Sequence, residues 1–296
     1  MNKPERQQLR KQITGPLRAS ILQNVKEIQK IFNSKFELVL NRLDHATEPS
    51  EIVDICEDWC AVTRDLTSKA HQLKMSIDWG VPDSPEWMNH FQDWFFQSLD
   101  RGATFWIERG IFARLSFGSK KPDVLELCCG DGFNTKNFYS PYANSILALD
   151  FDIEAHKHAV KFNGGENIQY RLADIRSEIP NIDVDNVIWD AAIEHFDDNE
   201  TTSIITSIKN CLERRHGTLA GYTLVERSDG KKSLHQHERE FRSKEDLHEM
   251  LSKFFPKVVV FETFAPQRHN LYFFATVNGE LPFIETWNQM VSSEVR

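Results

Sequence analysis

Cysteine is scarce in this sequence and forms no metal or redox signature. The five residues Cys56, Cys60, Cys128, Cys129 and Cys211 contain no C-x-x-C pair and no second cluster at zinc-ligand spacing. An odd, unpaired set fits free thiols in a reducing compartment, and Cys56 and Cys60, one helical turn apart, read as small buried apolar groups. Long hydrophobic runs are also missing: nothing approaches the roughly 18–20 apolar residues of a bilayer-spanning helix, and no signal-peptide hydrophobic region opens the chain. A cytoplasmic protein with no membrane partner is expected. Positive charge is short as well, 35 Lys and Arg against 44 Asp and Glu for a net charge of −9. That balance counts against a surface devoted to nucleic-acid phosphates and favours a small substrate; only the N-terminal fifty residues are clearly basic. With 40% hydrophobic and 27% charged residues, the composition excludes disorder and low-complexity architecture, and 296 residues suffice for a catalytic domain with a substantial extension.

Two textures divide the chain. Ile21, Leu22, Val25, Ile28, Ile31, Phe32, Phe36, Val39 and Leu43 recur at the spacing of one helix face. After Glu48-Pro49-Ser50, with Ser50 as N-cap, a second helical pattern runs from Ile52 through Ile55, Trp59 and Val62 to Leu66. The segment Gly80–Pro85 ends that layer, and an aromatic-dense helical stretch follows from Glu86 to Phe117. It is expected to pack on the following domain, to cover a substrate or to mediate homodimerisation, so residues 1–118 read as an N-terminal helical extension. From residue 119 to 296, short apolar runs alternate with helical segments: Val124–Leu127, Ser145–Leu149, Asn167–Leu172, Asn186–Trp189 and Thr218–Val225, then Val258–Phe264 and Leu271–Val277. The last two are joined by six residues, too few for a crossover helix, so they should pair antiparallel. The fold class is α/β: a seven-stranded, mostly parallel sheet ending in an antiparallel C-terminal hairpin strand, with helices on both faces and the N-terminal helical extension in front.

The most informative stretch is Val124-Leu125-Glu126-Leu127-Cys128-Cys129-Gly130-Asp131-Gly132-Phe133. A strand running into closely spaced glycines before a helix lets backbone N–H groups approach a ligand at the carboxyl edge of the sheet. Alone, Gly130-x-Gly132 also approximates a dinucleotide fingerprint, with Thr135 where its third glycine or alanine belongs. Asp150 ends the second run, Asp174 follows the third, and Asp190 ends the fourth ahead of Ile193-Glu194-His195-Phe196. Between the fifth strand and its helix lies Glu226–Arg242, a connection long enough to line a binding site, carrying His235, His237 and Glu238.

This series, with the antiparallel final hairpin, resembles the class I S-adenosylmethionine-dependent methyltransferases of small-molecule type over roughly Lys121–Val277. The resemblance implies that Glu126 holds the methionine amino group and that Cys128, standing where glycine is commoner, runs with Gly130 and Gly132 beneath methionine and ribose. It implies that Asp150 accepts from the ribose hydroxyls, Phe151 packs beside adenine, Asp174 meets the adenine amine with Ile175 covering it, and Asp190 lies at the cofactor's edge. The ligand offers an ammonium, a diol and an amine, all donors, to carboxylates that accept. His195 is the expected general base, its ordinary pKa of about 6.5 suiting that work, with Asp190 and His237 as competitors. Glu194, His235, Glu238, Trp106 and Arg268 are expected to contact the acceptor. The resemblance therefore implies S-adenosyl-L-methionine as cofactor and methyl transfer to a small molecule, most simply a hydroxyl of a sugar or polar natural product. N-methylation, RNA methylation and a non-catalytic cofactor-binding partner are the alternatives. No metal is expected; the combination of His235, His237 and Glu238 with His195 is its one candidate.

Overall fold

The computed structural model describes residues 3–78, 105–118, 120–227, 229–230, 232–233, 237–265, 268–282 and 294–295. The chain forms two compact units, Met1–Met88 and Asn89–Arg296.

The first unit is a helical hairpin of α1 (Lys3–His45) and α2 (Pro49–Asp78). Val39, Ile55 and Val62 form its buried seam, and the Phe36 and Trp59 rings meet edge-on at 5.3 Å. Lys35 pairs with Asp65 and Arg42 with Asp58 alongside. Helix α2 starts differently from expectation: Pro49 is its first residue, where a missing N–H costs nothing, and Ser50 lies within the first turn. Glu51 supplies the cap by reaching back to the Thr47 and Glu48 N–H groups, at 2.8 and 3.1 Å. Cys56 and Cys60 are exposed rather than buried. Ile55 and Val62, seven residues apart, set the face that packs on α1, and the two thiols fall to one side of it.

The second unit is built on a sheet ordered β3-β2-β1-β4-β5-β7-β6-β8. Its strands are β1 (Asp123–Leu127), β2 (Ser145–Asp150), β3 (Ile168–Leu172), β4 (Asn186–Asp190), β5 (Thr218–Leu224), β6 (Lys257–Ala265), β7 (Arg268–Thr276) and the short β8 (Glu294–Val295). The first five run parallel, whereas β7 lies antiparallel to both β5 and β6. The seven expected strands with their closing antiparallel hairpin are therefore present, extended by two residues of β8 along β6. Alternation along the central strands loads both faces. Leu125, Leu127, Val187 and Trp189 join one core with α5 (Asp198–Glu213) and α6 (Lys244–Ser252). Val124, Ile146, Ala148 and Ile188 join the opposite core with Ala113, Phe117 and Tyr139.

The helix α3 spans Phe105–Leu115. It packs within the second unit, its Phe112 ring edge-on to Phe261 and Tyr272 at 4.8 Å each, so the compact units divide at 88/89. The remaining helix, α4 (Ile153–Phe162), is capped by Asp152, which accepts from the Glu154 and Ala155 N–H groups at 2.7 and 3.1 Å. That assignment relieves Asp150 of a capping role. Parallel register does the rest: Leu127 stands opposite both Leu149 and Trp189, so β1, β2 and β4 finish at one edge.

Candidate active site

Four loops leave that edge. The β1 loop turns through Cys128 and Gly130, with φ of 58° and 57°, and Gly132 at 74°. Cys128 thus holds a left-handed backbone that glycine adopts at no steric cost, at a penalty of about 1–2 kcal/mol for an L-residue. Gly130 donates its N–H to Asp150 Oδ2 at 2.8 Å, and Asp152 donates to Oδ1 at 2.8 Å, so the β2 carboxylate is fixed by backbone from two loops. Phe151, 62% exposed, projects beside it. After β3, Asp174 is gripped by the Arg176 guanidinium at 2.6–3.1 Å, which holds its carboxyl below the usual range, and Ile175 is buried next to it.

The glycines differ in what surrounds them. A Cβ on Gly130 would meet nothing within 4 Å, whereas one on Gly132 would stand 2.4 Å from the Tyr170 hydroxyl. Gly130→Ala should cost only backbone strain, about 1–2 kcal/mol. Gly132→Ala adds a clash and should cost roughly 2–4 kcal/mol. Urea unfolding of the two variants checks the order; equal losses would show that the Tyr170 contact is immaterial.

Beneath the β1 loop, Glu126 is 3% exposed and accepts from Thr135 Oγ1 at 2.7 Å. Burial, reinforced by the nearby Asp190, Asp150 and Asp131, pushes its carboxyl up to about 8 against the opposing Thr135 bond. Thr135 opens a short π-helical turn, Thr135–Tyr139, a geometry frequent at functional sites. At the end of β4, Asp190 Oδ2 receives Arg109 at 3.0 and 2.6 Å and Asn134 Nδ2 at 3.2 Å. Its Oδ1 is buried with no partner among the described residues. A half-satisfied buried carboxylate is costly in isolation, and with Glu126 it forms an acceptor-rich pocket suited to a cationic donor.

Beyond β4, Ala191 takes φ 52° and a 3-10 turn, Ile193–His195, brings Glu194 and His195 over the sheet edge. The Glu226–Arg242 connection is pinned to this turn: Glu238 and Arg239 donate their N–H groups to the Glu194 carbonyl at 2.9 and 3.1 Å. Its neck is closed by Val225 and Phe241. His237, 1% exposed, meets the His195 ring edge-on at 4.9 Å and places Nδ1 2.5 Å from Glu240 Oε1. Glu194 is buried and accepts from Thr223 Oγ1 at 3.1 Å.

Residues 124–215 match a family profile described as "Methyltransferase domain". The match spans about a third of the chain and marks what these residues are similar to. The sheet order and antiparallel end are those expected of class I members. No protein of curated function matches the chain. Among solved structures it is similar to a DhpI complex with SAH, at 20% identity over 61% of this chain and 85% of that one with a TM-score of 0.46. It is also similar to the N-methyltransferase NodS from Bradyrhizobium japonicum WM9, at 17% identity, 58% and 96% coverage and a TM-score of 0.46. A third is Burkholderia thailandensis 1,6-didemethyltoxoflavin-N1-methyltransferase, at 16% identity, 62% and 84% coverage and a TM-score of 0.44.

Within the second unit, the expected residues Glu126, Cys128, Gly130, Gly132, Asp150, Phe151, Asp174, Ile175 and Asp190 occupy successive strand ends. Glu194, His195 and His237 form one cluster. Glu238 joins it through its backbone, its side chain being exposed. Residue His235 and the side chains of Trp106 and Arg268 lie outside the described residues. Arg109, Thr223 and Glu240 were not singled out by the sequence, and Thr135 entered it only as the third position of the glycine pattern. Arg109 and Asp190 are 81 positions apart, and only the packing of α3 on the sheet unites them.

Proposed function

We propose that the second unit binds S-adenosylmethionine along the β1–β4 edge and methylates a small molecule presented to the Glu194, His195 and His237 side. The observation carrying this reading is the acceptor set: Asp150 anchored by Gly130, Asp190 with an oxygen unpartnered among the described residues, and Glu126 buried between negative neighbours. When bound, the cofactor supplies an electrophilic methyl group on its sulfonium. Glu126 and Asp190 receive the ammonium, Asp150 the ribose diol, and Phe151 and Ile175 flank the adenine, with Asp174 at its amine. The open space over Gly130 lets the backbone come close to the ligand.

The chain's own contribution to the transfer is position and proton handling. Asp190 is already engaged by the Arg109 guanidinium. The proton of the acceptor instead leaves at the histidine cluster, where Glu240 fixes the His237 ring and Thr223 fixes Glu194. Such proton-handling equipment suits a hydroxyl, which must be deprotonated to attack, better than a neutral amine, which carries its lone pair ready. A sugar or comparable polar hydroxyl is the acceptor this favours.

Calorimetry with S-adenosylmethionine and S-adenosylhomocysteine tests the reading. Wild type should bind both in the micromolar range, and Asp150→Ala should weaken binding by roughly 100-fold, the loss of two charge-assisted hydrogen bonds at about 1.5 kcal/mol each. Well-folded wild type that binds neither compound would remove the assignment.

A further inference from the structure

We infer that Glu194, His195 and His237 form a binding site for one divalent first-row transition ion. One ligand atom from each of the three lies within 4.8 Å of the others. With ligand bonds of about 2.0–2.2 Å, donors on one tetrahedral ion stand roughly 3.3–3.6 Å apart, so the side chains would draw in by about 1 Å on the ion. The donor set, two imidazoles and one carboxylate, is that of borderline ions such as zinc, cobalt, iron or manganese, and not the all-oxygen set of calcium or magnesium. Three protein ligands leave coordination positions open for a substrate oxygen, and an ion held there would acidify that hydroxyl in place of proton uptake by a free imidazole.

The surroundings are those of a built metal site. His237 Nδ1 is held by Glu240 Oε1 at 2.5 Å, which leaves Nε2 as the ring nitrogen for an ion. A carboxylate behind the imidazole is the usual means of fixing a ligand histidine's tautomer and orientation. Glu240 is itself steadied by the Ser233 N–H at 2.6 Å, and Glu194 by Thr223. Glu194 and His237 are 2% and 1% exposed, so an ion there would be shielded from solvent competitors. The two halves are also locked together by the Glu238 and Arg239 N–H groups on the Glu194 carbonyl. Together these contacts preorganise ligands from a strand-end turn and a distant loop.

The position of the ion beside the methyl acceptor rests on the proposed methyl transfer; its binding does not. Full-length protein stripped by chelator is titrated with Co2+ alone, followed by its visible d–d absorption, and then with Zn2+ in competition. One Co2+ per chain is expected, displaced by one Zn2+. Glu194→Gln and His237→Ala should each weaken binding at least about 30-fold, and Glu240→Gln by roughly 10-fold through loss of the ring's anchor. His45→Ala, in the helical hairpin, should leave it unchanged. Circular dichroism on each variant separates lost ligands from lost fold. Binding well below one equivalent, or equally strong in folded Glu194→Gln and His237→Ala, overturns the site. Because the titration contains no S-adenosylmethionine, failure of metal binding and failure of cofactor binding are read independently.

Discussion

Arg109→Met should destabilise the second unit by about 3–5 kcal/mol, the loss expected when one partner of a buried ion pair is removed and the other stays buried. The Arg109 and Asp190 side chains are 12% and 8% exposed, and Arg109 grips Oδ2 through two nitrogens. Burial works against the guanidinium's charge, but Asp190 more than offsets it and raises the Arg109 pKa. With Arg109 gone, Asp190 would keep, among the described residues, Asn134 on Oδ2 and no partner on Oδ1. For a unit of this size the melting temperature should fall by roughly 6–20 °C. The double variant Arg109→Met/Asp190→Asn should recover more than half of the loss, because it removes the stranded charge as well as its partner. A single-variant loss under about 1 kcal/mol would mean that the pair behaves like a solvated surface bridge. Saturating S-adenosylmethionine should restore part of the melting temperature, since a bound ammonium replaces some of the missing positive charge.

That pair also shows where the sequence stops being legible. The strands and the final antiparallel pairing follow from local pattern: β-branched and apolar runs of four to eight residues, glycines at the turn after β1, and a connection after β6 too short for a helix. Carboxylates at Asp150, Asp174 and Asp190 could be placed on one edge because parallel register forces successive strand ends together. What a carboxylate touches is another matter. Nothing in Trp106-Ile107-Glu108-Arg109-Gly110 marks Arg109 as the partner of Asp190, since that depends on how α3 lies across the sheet. His237 stands out as a residue type, but its pairing with Glu240 needs the loop to fold back on the Glu194 turn. The helical hairpin was legible as periodicity and misread in detail: the face was set by Ile55 and Val62, and the cysteines beside it stayed exposed. Cys128 illustrates the opposite case, where a departure from the usual glycine was visible in sequence and its strained φ of 58° became visible only in the structure.

Glu126 carries the other large effect, a coupling of cofactor binding to protons. With its carboxyl pushed up to about 8 by burial and by its acidic neighbours, the group is mostly protonated at pH 7 in the ligand-free protein. An ammonium placed beside it favours the ionised form, so binding should expel close to one proton, about 0.9 at pH 7 from the simple titration ratio. Calorimetry in two buffers of different ionisation enthalpy measures that number directly. Affinity should rise about tenfold per unit as pH approaches 8, then fall above it as the ligand's own α-amino group, with a pKa near about 8, loses its proton. Glu126→Gln should abolish the rising limb and weaken binding at pH 8 by roughly 10–100-fold, the worth of one charge-assisted hydrogen bond. The sign for stability is the reverse. The folded-state value lies above the ordinary 4.5, so the stabilisation of the ligand-free protein is complete below about 4.5 and is lost progressively as pH rises through 8. Rescue of the melting temperature by S-adenosylmethionine should consequently be greatest near pH 8, where the empty pocket is least stable and the ligand binds most tightly. A proton release near zero at pH 7 would show that Glu126 is already ionised in the empty site, and the ammonium would then bind without the pH dependence described.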